Sequence, residues 1–394
     1  MSYPIIQANT SVLTFEDCVA HLLDVVENGR EGLNVRQAIR AVESAYRDFP
    51  LKHQWAYYYR KRIVATVDAY STGTITYDHT GGASERQLTL ATGTWPSWSA
   101  FGRVIIGDAA YEVESRISDS IITLEESANP GEDLAAGTAY TICRAEYPLP
   151  VDFRRMIQLL DIEQDFRLRV DSESEQHDAE TVYYTDPSQP LRITIRGSTR
   201  HLGSLALVFG PPPATGQNYS MLYEASPRSL RIPERYNTGT VAITSGSATV
   251  TGTSTAFPTN CVGAILRVSS DNTEPSPLSG NPQGTKGVYI FQGVIKARVS
   301  ATELTLTESA SVSADGQYSL SDPIDIEPIG MTTAFLRLCE AEFERLRRIP
   351  TWTLTMSDAE RKIREAIEND DRTPMSASHR LHNFWSTSSN SQET

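Results

Sequence analysis

Long apolar runs are missing from this chain of 394 residues. No stretch approaches the roughly 20 residues that a membrane-crossing helix needs. The opening Met1-Ser-Tyr-Pro-Ile-Ile6 lacks a basic region followed by an apolar core, so no secretion signal is expected and synthesis is expected in the cytoplasm. Cysteine is scarce as well. Cys18, Cys143, Cys261 and Cys339 are scattered without any Cys-x-x-Cys spacing, which points to reduced, buried thiols and away from disulfides or a metal centre. Positive charge is in deficit, 35 Lys and Arg against 49 Asp and Glu, for a formal net charge of −14. That balance argues against a protein whose main task is gripping nucleic acid, and it suits a surface past which DNA must slide.

Catalytic signatures are also lacking. There is no Gly-x-Ser-x-Gly, His-Glu-x-x-His, Walker sequence or dinucleotide fingerprint. Gly280 to Lys286 has the wrong glycine spacing for a phosphate loop, no Ser or Thr follows Lys286, and no helical pattern opens there. His379 and His382 form one local pair with no cysteine or carboxylate ligand alongside. The acidic pairs Glu125-Glu126 and Asp370-Asp371 fall at β and tail positions. The chain is therefore expected to be structural, with no enzymatic activity, cofactor or metal.

What the sequence does contain is a repeat. Thr72-Gly-Thr-Ile75, Leu88-Thr-Leu-Ala-Thr-Gly-Thr94 and Ile122-Thr-Leu-Glu-Glu-Ser-Ala128 recur in order as Thr238-Gly-Thr-Val241, Ala248-Thr-Val-Thr-Gly-Thr253 and Leu304-Thr-Leu-Thr-Glu-Ser-Ala310. Alternating runs at 74–77, 87–90, 103–106, 110–114 and 120–124, separated by Gly and Asp turn signals, predict short strands in a small barrel or sandwich. Two β modules follow, at 67–146 and 236–328. Only the second carries an inserted loop, 273–287, whose Pro, Ser and Gly content reads as surface. Trp95-Pro-Ser-Trp98 matches Thr255-Ala-Phe-Pro258, and these aromatics are expected to plug a core or a subunit contact, with a sugar platform as the rival reading.

Helices are predicted at both ends. Thr14 and Asp17 can cap a helix over 14–28 that Asn28-Gly29 ends. A second helix, from near Asn34, stops at Pro50, and a helical or bent piece over 55–64 completes an N-terminal helical hairpin, 1–66. Its later half is basic, with Arg36, Arg40, Arg47, Lys52, Arg60, Lys61 and Arg62, which is either a solvated face or a face for an acidic partner or DNA. The segment 147–235 is expected to hold a short helix capped by Asp152, then strands over 191–195, 204–208 and 218–223, with Pro211-Pro-Pro213 as a rigid turn. A helix over 332–348 carries Phe335, Leu338, Phe343 and Leu346 on one stripe, with Glu342 inside it and therefore paired or at an edge. Ser357-x-x-Glu360 predicts the start of a last helix to about Asn369, the pair (329–369) packing on the N-terminal hairpin. The tail 370–394 is too polar to fold alone, and its Leu381, Phe384 and Trp385 call for something to dock on. The fold class expected is α+β.

Several phrases together resemble the head-to-tail adaptor (connector, or tail-tubular) proteins of tailed bacteriophages. They are the N-terminal hairpin paired with late helices, Tyr147-Pro-Leu-Pro-Val-Asp-Phe153, and Leu205-Ala-Leu-Val-Phe-Gly-Pro-Pro-Pro213 leading to Tyr219-Ser-Met-Leu-Tyr223 and Pro227-Arg-Ser-Leu230. The Thr238 to Pro258 phrase is similar to β modules of phage virion proteins. The resemblance implies a ring subunit, commonly one of twelve, that sits under the portal, extends the DNA channel without reading its sequence, and presents a platform for the next tail component. It implies further that Phe384, Trp385 and Leu381, with Arg60, Lys61 and Arg62, meet the portal or a neighbour, and that the Phe335, Leu338, Phe343, Leu346 stripe packs on the hairpin or on a neighbouring subunit of the ring. Carrying two large β modules departs from a minimal adaptor. A receptor- or carbohydrate-binding tail protein, or a tail tube, stopper or decoration protein, are the alternatives.

Overall fold

A computed structural model describes residues 12–24, 32–79, 82, 84–172, 174–175, 186–198, 203–269, 274–275, 289–327 and 330–371. The chain forms two compact units, Tyr59–Ser226 on one side and Met1–Tyr58 with Pro227–Thr394 on the other. The architecture is α+β, and the repeat is real: each unit contains one seven-stranded module.

In the Tyr59–Ser226 unit the module comprises β2 (Ile75–Asp78), β3 (Gln87–Leu90), β4 (Gly102–Ile106), β5 (Ala109–Arg116), β6 (Ile121–Leu124), β7 (Leu134–Thr138) and β8 (Thr141–Arg144), which follow β1 (Tyr59–Ala65). Their order across the sheet is β7-β2-β3-β6-β5-β4-β8. Strand β5 pairs with β6 at one end and β4 at the other, and its register shifts between Val113 and Ser115. Such a bulge bends a strand, which lets one long strand serve both halves of a curled sheet. The rest of this unit is β9 (Tyr147–Pro148), β10 (Phe153–Asp161), β11 (Phe166–Arg167), β12 (Arg169–Val170), β13 (Arg192–Gly197), β14 (Leu205–Gly210) and β15 (Asn218–Ala225). They make two four-stranded sheets, β1-β15-β10-β11 and β12-β13-β14-β9.

Two helical expectations fail here. Residues 153–161 form strand β10, not a helix capped by Asp152: β15 pairs along the whole segment, Phe153 stacks on Tyr223 with centroids 5.7 Å apart, and Asp152 instead accepts a hydrogen bond from the Tyr223 hydroxyl at 3.1 Å. Residues 55–64 give a single 3₁₀ turn, Ala56–Tyr58, and then β1, whose seven residues all pair with β15. The 55–64 run is rich in β-branched and aromatic residues, and in both segments a full ladder on an adjacent strand outweighs the local helical signal. Arg60, Lys61 and Arg62 accordingly lie on an edge strand in one unit, while Arg36, Arg40 and Arg47 lie on a helix of the other.

The other unit begins with α1 (Phe15–Asp24) and α2 (Gly32–Asp48). The Thr14 capping box forms as expected, with the Thr14 N–H donating to Asp17 Oδ2 at 2.8 Å and the Asp17 N–H donating to Thr14 Oγ1 at 3.3 Å. Residues 25–31, including the Asn28-Gly29 stop, lie outside the described residues. The second module follows: β16 (Thr240–Ile243), β17 (Thr249–Thr253), β18 (Ile265–Ser269), β19 (Tyr289–Arg298), β20 (Glu303–Leu306), β21 (Ala314–Gly316) and β22 (Tyr318–Ser321). Its order, β21-β16-β17-β20-β19-β18-β22, reproduces that of the first module strand for strand, and β19 has its register shift, between Ile295 and Ala297, where β5 has one. The insertion falls between β18 and β19, where the first module makes the tight Gly107-Asp108 turn.

Register corrects one part of the repeat. Leu88 pairs with Ile122 and Val250 with Leu304, so Leu88 corresponds to Val250 and Trp95 to Phe257. The two Thr-Gly-Thr phrases at 92–94 and 251–253 are therefore not equivalent: the second lies inside β17. The earlier glycines are equivalent. Gly73 and Gly239 have φ of +86° and +84°, and a Cβ on either would stand 2.1 Å from the Thr92 carbonyl oxygen or 2.4 Å from that of Thr253, so only glycine fits.

Two further helices complete this unit, α3 (Thr332–Leu346) and α4 (Trp352–Asp371). The last helix starts five residues before the predicted Ser357 box, because the Thr351 carbonyl already accepts the N–H groups of Leu354 and Thr355 (2.9 and 3.3 Å). It buries Ala359, Ile363 and Ala366, an i, i+4, i+7 stripe. Helix α2 runs antiparallel to α3, with Tyr46 and Phe49 edge-on to Phe335 and Ser44 bonded to Glu342, and α3 runs antiparallel to α4 through Thr355 and Glu344. Glu342, inside the stripe, is indeed paired, with Arg345 at 2.6 Å.

Candidate functional site

The apolar stripe of α3 does not wait for a neighbour. Phe335, Leu338 and Phe343 are buried in one core with Phe15, Val19, Leu22, Val42, Phe49, Trp55 and Ile363, and Leu346 packs half-buried against it. Of the two partners expected for the stripe, the N-terminal hairpin or a neighbouring subunit, the hairpin is the one it packs on within the chain. Outside this core, large apolar side chains remain on the surface: Leu33 at the start of α2 (68% exposed) and Leu354 at the start of α4 (72%), with Leu51 (63%) after α2. The antiparallel pairings put Leu33 and Leu354 at the same end of the four-helix bundle.

Buried charge joins the bundle to the second module. Arg267 on β18 and Asp17 on α1 are 2% and 0% exposed. Arg267 donates from Nη1 to Asp17 Oδ1 (2.7 Å) and Thr14 Oγ1 (3.5 Å), from Nη2 to Asp17 Oδ2 (2.8 Å) and the Val12 carbonyl (2.9 Å), and from Nε to Gln292 Oε1 (3.0 Å). All five guanidinium donors are thereby satisfied. In the first module the same ladder position is Ile105, which pairs with Ala110 and Thr141 as Arg267 pairs with Gln292 and Ser319. One substitution pattern within the repeat thus turns an apolar position into a clamp on α1.

Next to that clamp, the Ser319 hydroxyl donates to Glu16 Oε2, and Arg235 bridges Glu16 Oε1 (3.1 Å) and the Glu274 carboxylate of the insertion. Burial pushes the Glu16 carboxyl above its ordinary value of 4.5, with Ser319 and Arg235 pulling the other way. A group whose folded pKa is raised contributes stability below its unfolded pKa and loses it as pH rises through the folded value. Glu16→Gln, which mimics the protonated form, should therefore gain in thermal midpoint relative to wild type as pH is raised from about 4.5 toward neutrality. A difference between the two proteins that is flat across this window would refute the assignment.

Two aspartates organise the segment after Pro227. Asp322 Oδ2 accepts the N–H groups of Arg231 and Ile232 (2.6 and 2.7 Å), and Asp325 accepts the Arg228 N–H (3.0 Å) and the Tyr57 hydroxyl (2.9 Å). In the other unit the carboxylate of Glu224, 1% exposed, is held by both Arg154 (2.8 Å) and Arg155 (2.6 Å). Adjacent strand residues normally face opposite ways; the register shift between Phe153 and Arg155 lets both reach it. Apart from the Thr14–Asp17 cap, local sequence points to none of these nodes. Arg267 was the most legible of them, a charge inside the apolar run Ala264-Ile-Leu-Arg-Val268.

Trp95 and Phe257 are interior, while Trp98 packs half-buried against the first module's core. Trp95 and Phe257 are 0% and 1% exposed, each edge-on to a tyrosine, Tyr140 or Tyr318, whose hydroxyl donates to the Thr72 or Thr238 carbonyl at 2.8 Å in both modules. Tyr70 and Tyr236 close each set, accepting the N–H of Thr94 (3.2 Å) and Ala256 (2.8 Å).

Arg60, Lys61 and Arg62 lie along β1, with Lys61, Arg62 and Ile63 exposed. Leu381, Phe384, Trp385, His379 and His382 lie outside the described residues. A cleft of about 600 Å³ opens where α4 ends, lined by Trp55, Tyr57, Met331, Ala334, Lys362 and Asp370 among others. Asp370, assigned to the tail from the sequence, belongs to α4: its carboxylate accepts the Ala56 N–H at 3.1 Å and pairs with His53 at 3.3 Å. The four cysteines are buried and free, and burial pushes the Cys18 and Cys339 thiols well up. Among the described residues no group of His, Cys, Asp and Glu is arranged to hold a metal, and no helix is long and apolar enough to cross a membrane. No protein-family model, curated protein or solved structure matches this chain.

Proposed function

We propose that this chain is a structural subunit of a ring that joins the portal of a tailed-phage head to the tail and continues the DNA channel. The observation that carries the reading is at the surface of the bundle. Its own stripe is closed within the chain, yet Leu33 and Leu354 stand exposed at one end, where a neighbouring copy would bury them. The resemblance of the 147–153, 205–213 and 219–230 phrases to head-to-tail adaptors supplies the partner. The excess of acidic residues supports a channel past which duplex DNA slides without specific contacts. Burial of Trp95 and Phe257 inside their modules leaves the carbohydrate-binding alternative with the half-buried Trp98 for support.

Electron microscopy of purified portal rings with and without this protein tests the proposal. Added density forming one further ring on the portal is expected. Decoration of capsid surface, polymerisation into a tube without portal, or binding to a glycan array with portals left bare would each overturn it. Removal of 372–394, which leaves α4 and its Asp370 contacts whole, is expected to weaken portal binding.

A further inference from the structure

The sheet β1-β15-β10-β11 ends on an open ladder. Among the described strands that stand at sheet edges, β1 is the longest, with seven residues against at most five, in β7. Proteins usually shorten an edge, bulge it or place proline in it. Strand β1 has none of these, and its register to β15 runs without a shift from Tyr59 to Ala65.

The ladder itself fixes which main-chain groups face outward. The Thr66 N–H donates to the Gln217 carbonyl directly opposite (2.8 Å), while the Asn218 carbonyl turns the other way, to the Ile162 N–H (3.3 Å). Bonded and non-bonded pairs alternate along two antiparallel strands. Arg62 and Val64 therefore bond to β15, and Lys61, Ile63 and Ala65 turn their N–H and C=O groups away from it. All three are exposed, Ile63 at 51%, and among the described residues no strand pairs with β1 on that side. Such a row of donors and acceptors is a template for one more strand.

Charge selects the strand that fits. Lys61 and Arg62 are exposed, make no ion pair with a described residue, and leave opposite faces of the sheet. Arg60 lies beside them, its Nη1 on the Tyr59 carbonyl (3.2 Å). Opposite charges across a strand pair attract and like charges repel. A second copy meeting β1 edge to edge would bring three more cations into the contact. An extended acidic segment would neutralise those already there. Edge charges that guard against self-pairing thus become recognition groups for a partner of the other sign.

We infer that the outer edge of β1 is a strand-addition site for an extended acidic segment of a partner protein. Main-chain bonds form to Lys61, Ile63 and Ala65, carboxylates lie opposite Lys61 and Arg62, and a β-branched side chain lies opposite Ile63. This assignment does not rest on the ring reading, since it names a chemistry that any partner could carry.

The test uses the full-length protein and a fluorescent, end-blocked peptide, Thr-Val-Ile-Glu-Glu-Glu-Val, whose isoleucine falls opposite Ile63 in antiparallel pairing. Saturable binding is expected by polarisation, with amide exchange slowed at Lys61, Ile63 and Ala65 and little changed at Arg62 and Val64. Lys61→Glu/Arg62→Glu should weaken binding at least about tenfold. N-methylation of the peptide's isoleucine and middle glutamate, whose N–H groups face β1, should abolish binding. N-methylation of the first and third glutamates should not. No saturation by about 1 mM peptide would overturn the inference. Equal effects of the two methylation patterns, which mean charge attraction alone, would also overturn it. So would a wild-type dimer in sedimentation with these three amides already protected, or duplex DNA binding in place of the peptide and lost in the double variant. Failure of portal binding in the microscopy leaves this readout untouched, so the two ideas fail separately.

Discussion

Arg267→Ala should lower the stability of the Met1–Tyr58, Pro227–Thr394 unit by about 3–5 kcal/mol, the cost of leaving one member of a buried ion pair uncompensated. The magnitude follows from the geometry: Asp17 would keep its Thr14 contacts but lose both guanidinium hydrogen bonds at a site with no solvent access. Asp17→Ala should cost as much or more, because it also removes the carboxylate of the α1 capping box. The apolar double variant Asp17→Leu/Arg267→Met should be less destabilised than either single change, since no buried charge remains unpaired. Denaturant unfolding followed by hydrogen exchange at peptide resolution checks this, because two units need not unfold together. Exchange should rise throughout α1, β18 and the helices while β2–β8 stay protected. A single-variant cost under about 1 kcal/mol would mean the clamp is no stronger than a surface pair.

Trp95→Ala and Phe257→Ala form the second large effect, about 3–5 kcal/mol each from lost burial and a residual cavity. Their diagnostic content lies in where the damage appears. Equivalent by ladder register, the two residues sit in different compact units, so each variant should destabilise its own module and leave the other at wild-type protection. The companion changes Tyr140→Phe and Tyr318→Phe each remove one hydrogen bond to the Thr72 or Thr238 carbonyl and should cost about 0.5–1.5 kcal/mol. Protection lost equally in both modules after either aromatic substitution would show that the copies are not independent cores.

Legibility in the sequence followed the range of the interaction. Strands β2 to β6 could be read in advance because Gly and Asp turns bracket short alternating runs, and the α1 cap because Thr14 and Asp17 lie three residues apart. Strands β1 and β10 could not, because what makes them strands is β15, whose pairing residues lie 58 to 72 positions along the chain from those of β10 and farther still from those of β1. The site residues show the same division. Glu342 announced a partner by standing inside an apolar stripe, and Arg345 three residues on supplies it. Asp325, Asp322 and Glu224 announce nothing locally, since their partners Tyr57, Arg231, Arg154 and Arg155 are distant in sequence or look like ordinary surface residues. Similar turns gave the repeat away, yet the position where the copies differ most in consequence, Ile105 against Arg267, became visible only through the ladder.

The pairing of Tyr59 with Glu224 has a consequence for how such a chain can be assembled from parts. The first and last strands of the Tyr59–Ser226 unit are neighbours in one sheet, so its two ends lie side by side. In the remaining chain, the flanking ends converge as well: Tyr58 donates to the Asp325 carbonyl (2.8 Å) and the Arg228 N–H to the Asp325 carboxylate (3.0 Å). A whole unit is therefore threaded into a single loop of its host, held at two adjacent splice points, Tyr58–Tyr59 and Ser226–Pro227. A lineage carrying this protein can drop, exchange or duplicate the inserted cassette by cutting at one place in space, with the cores on either side left intact.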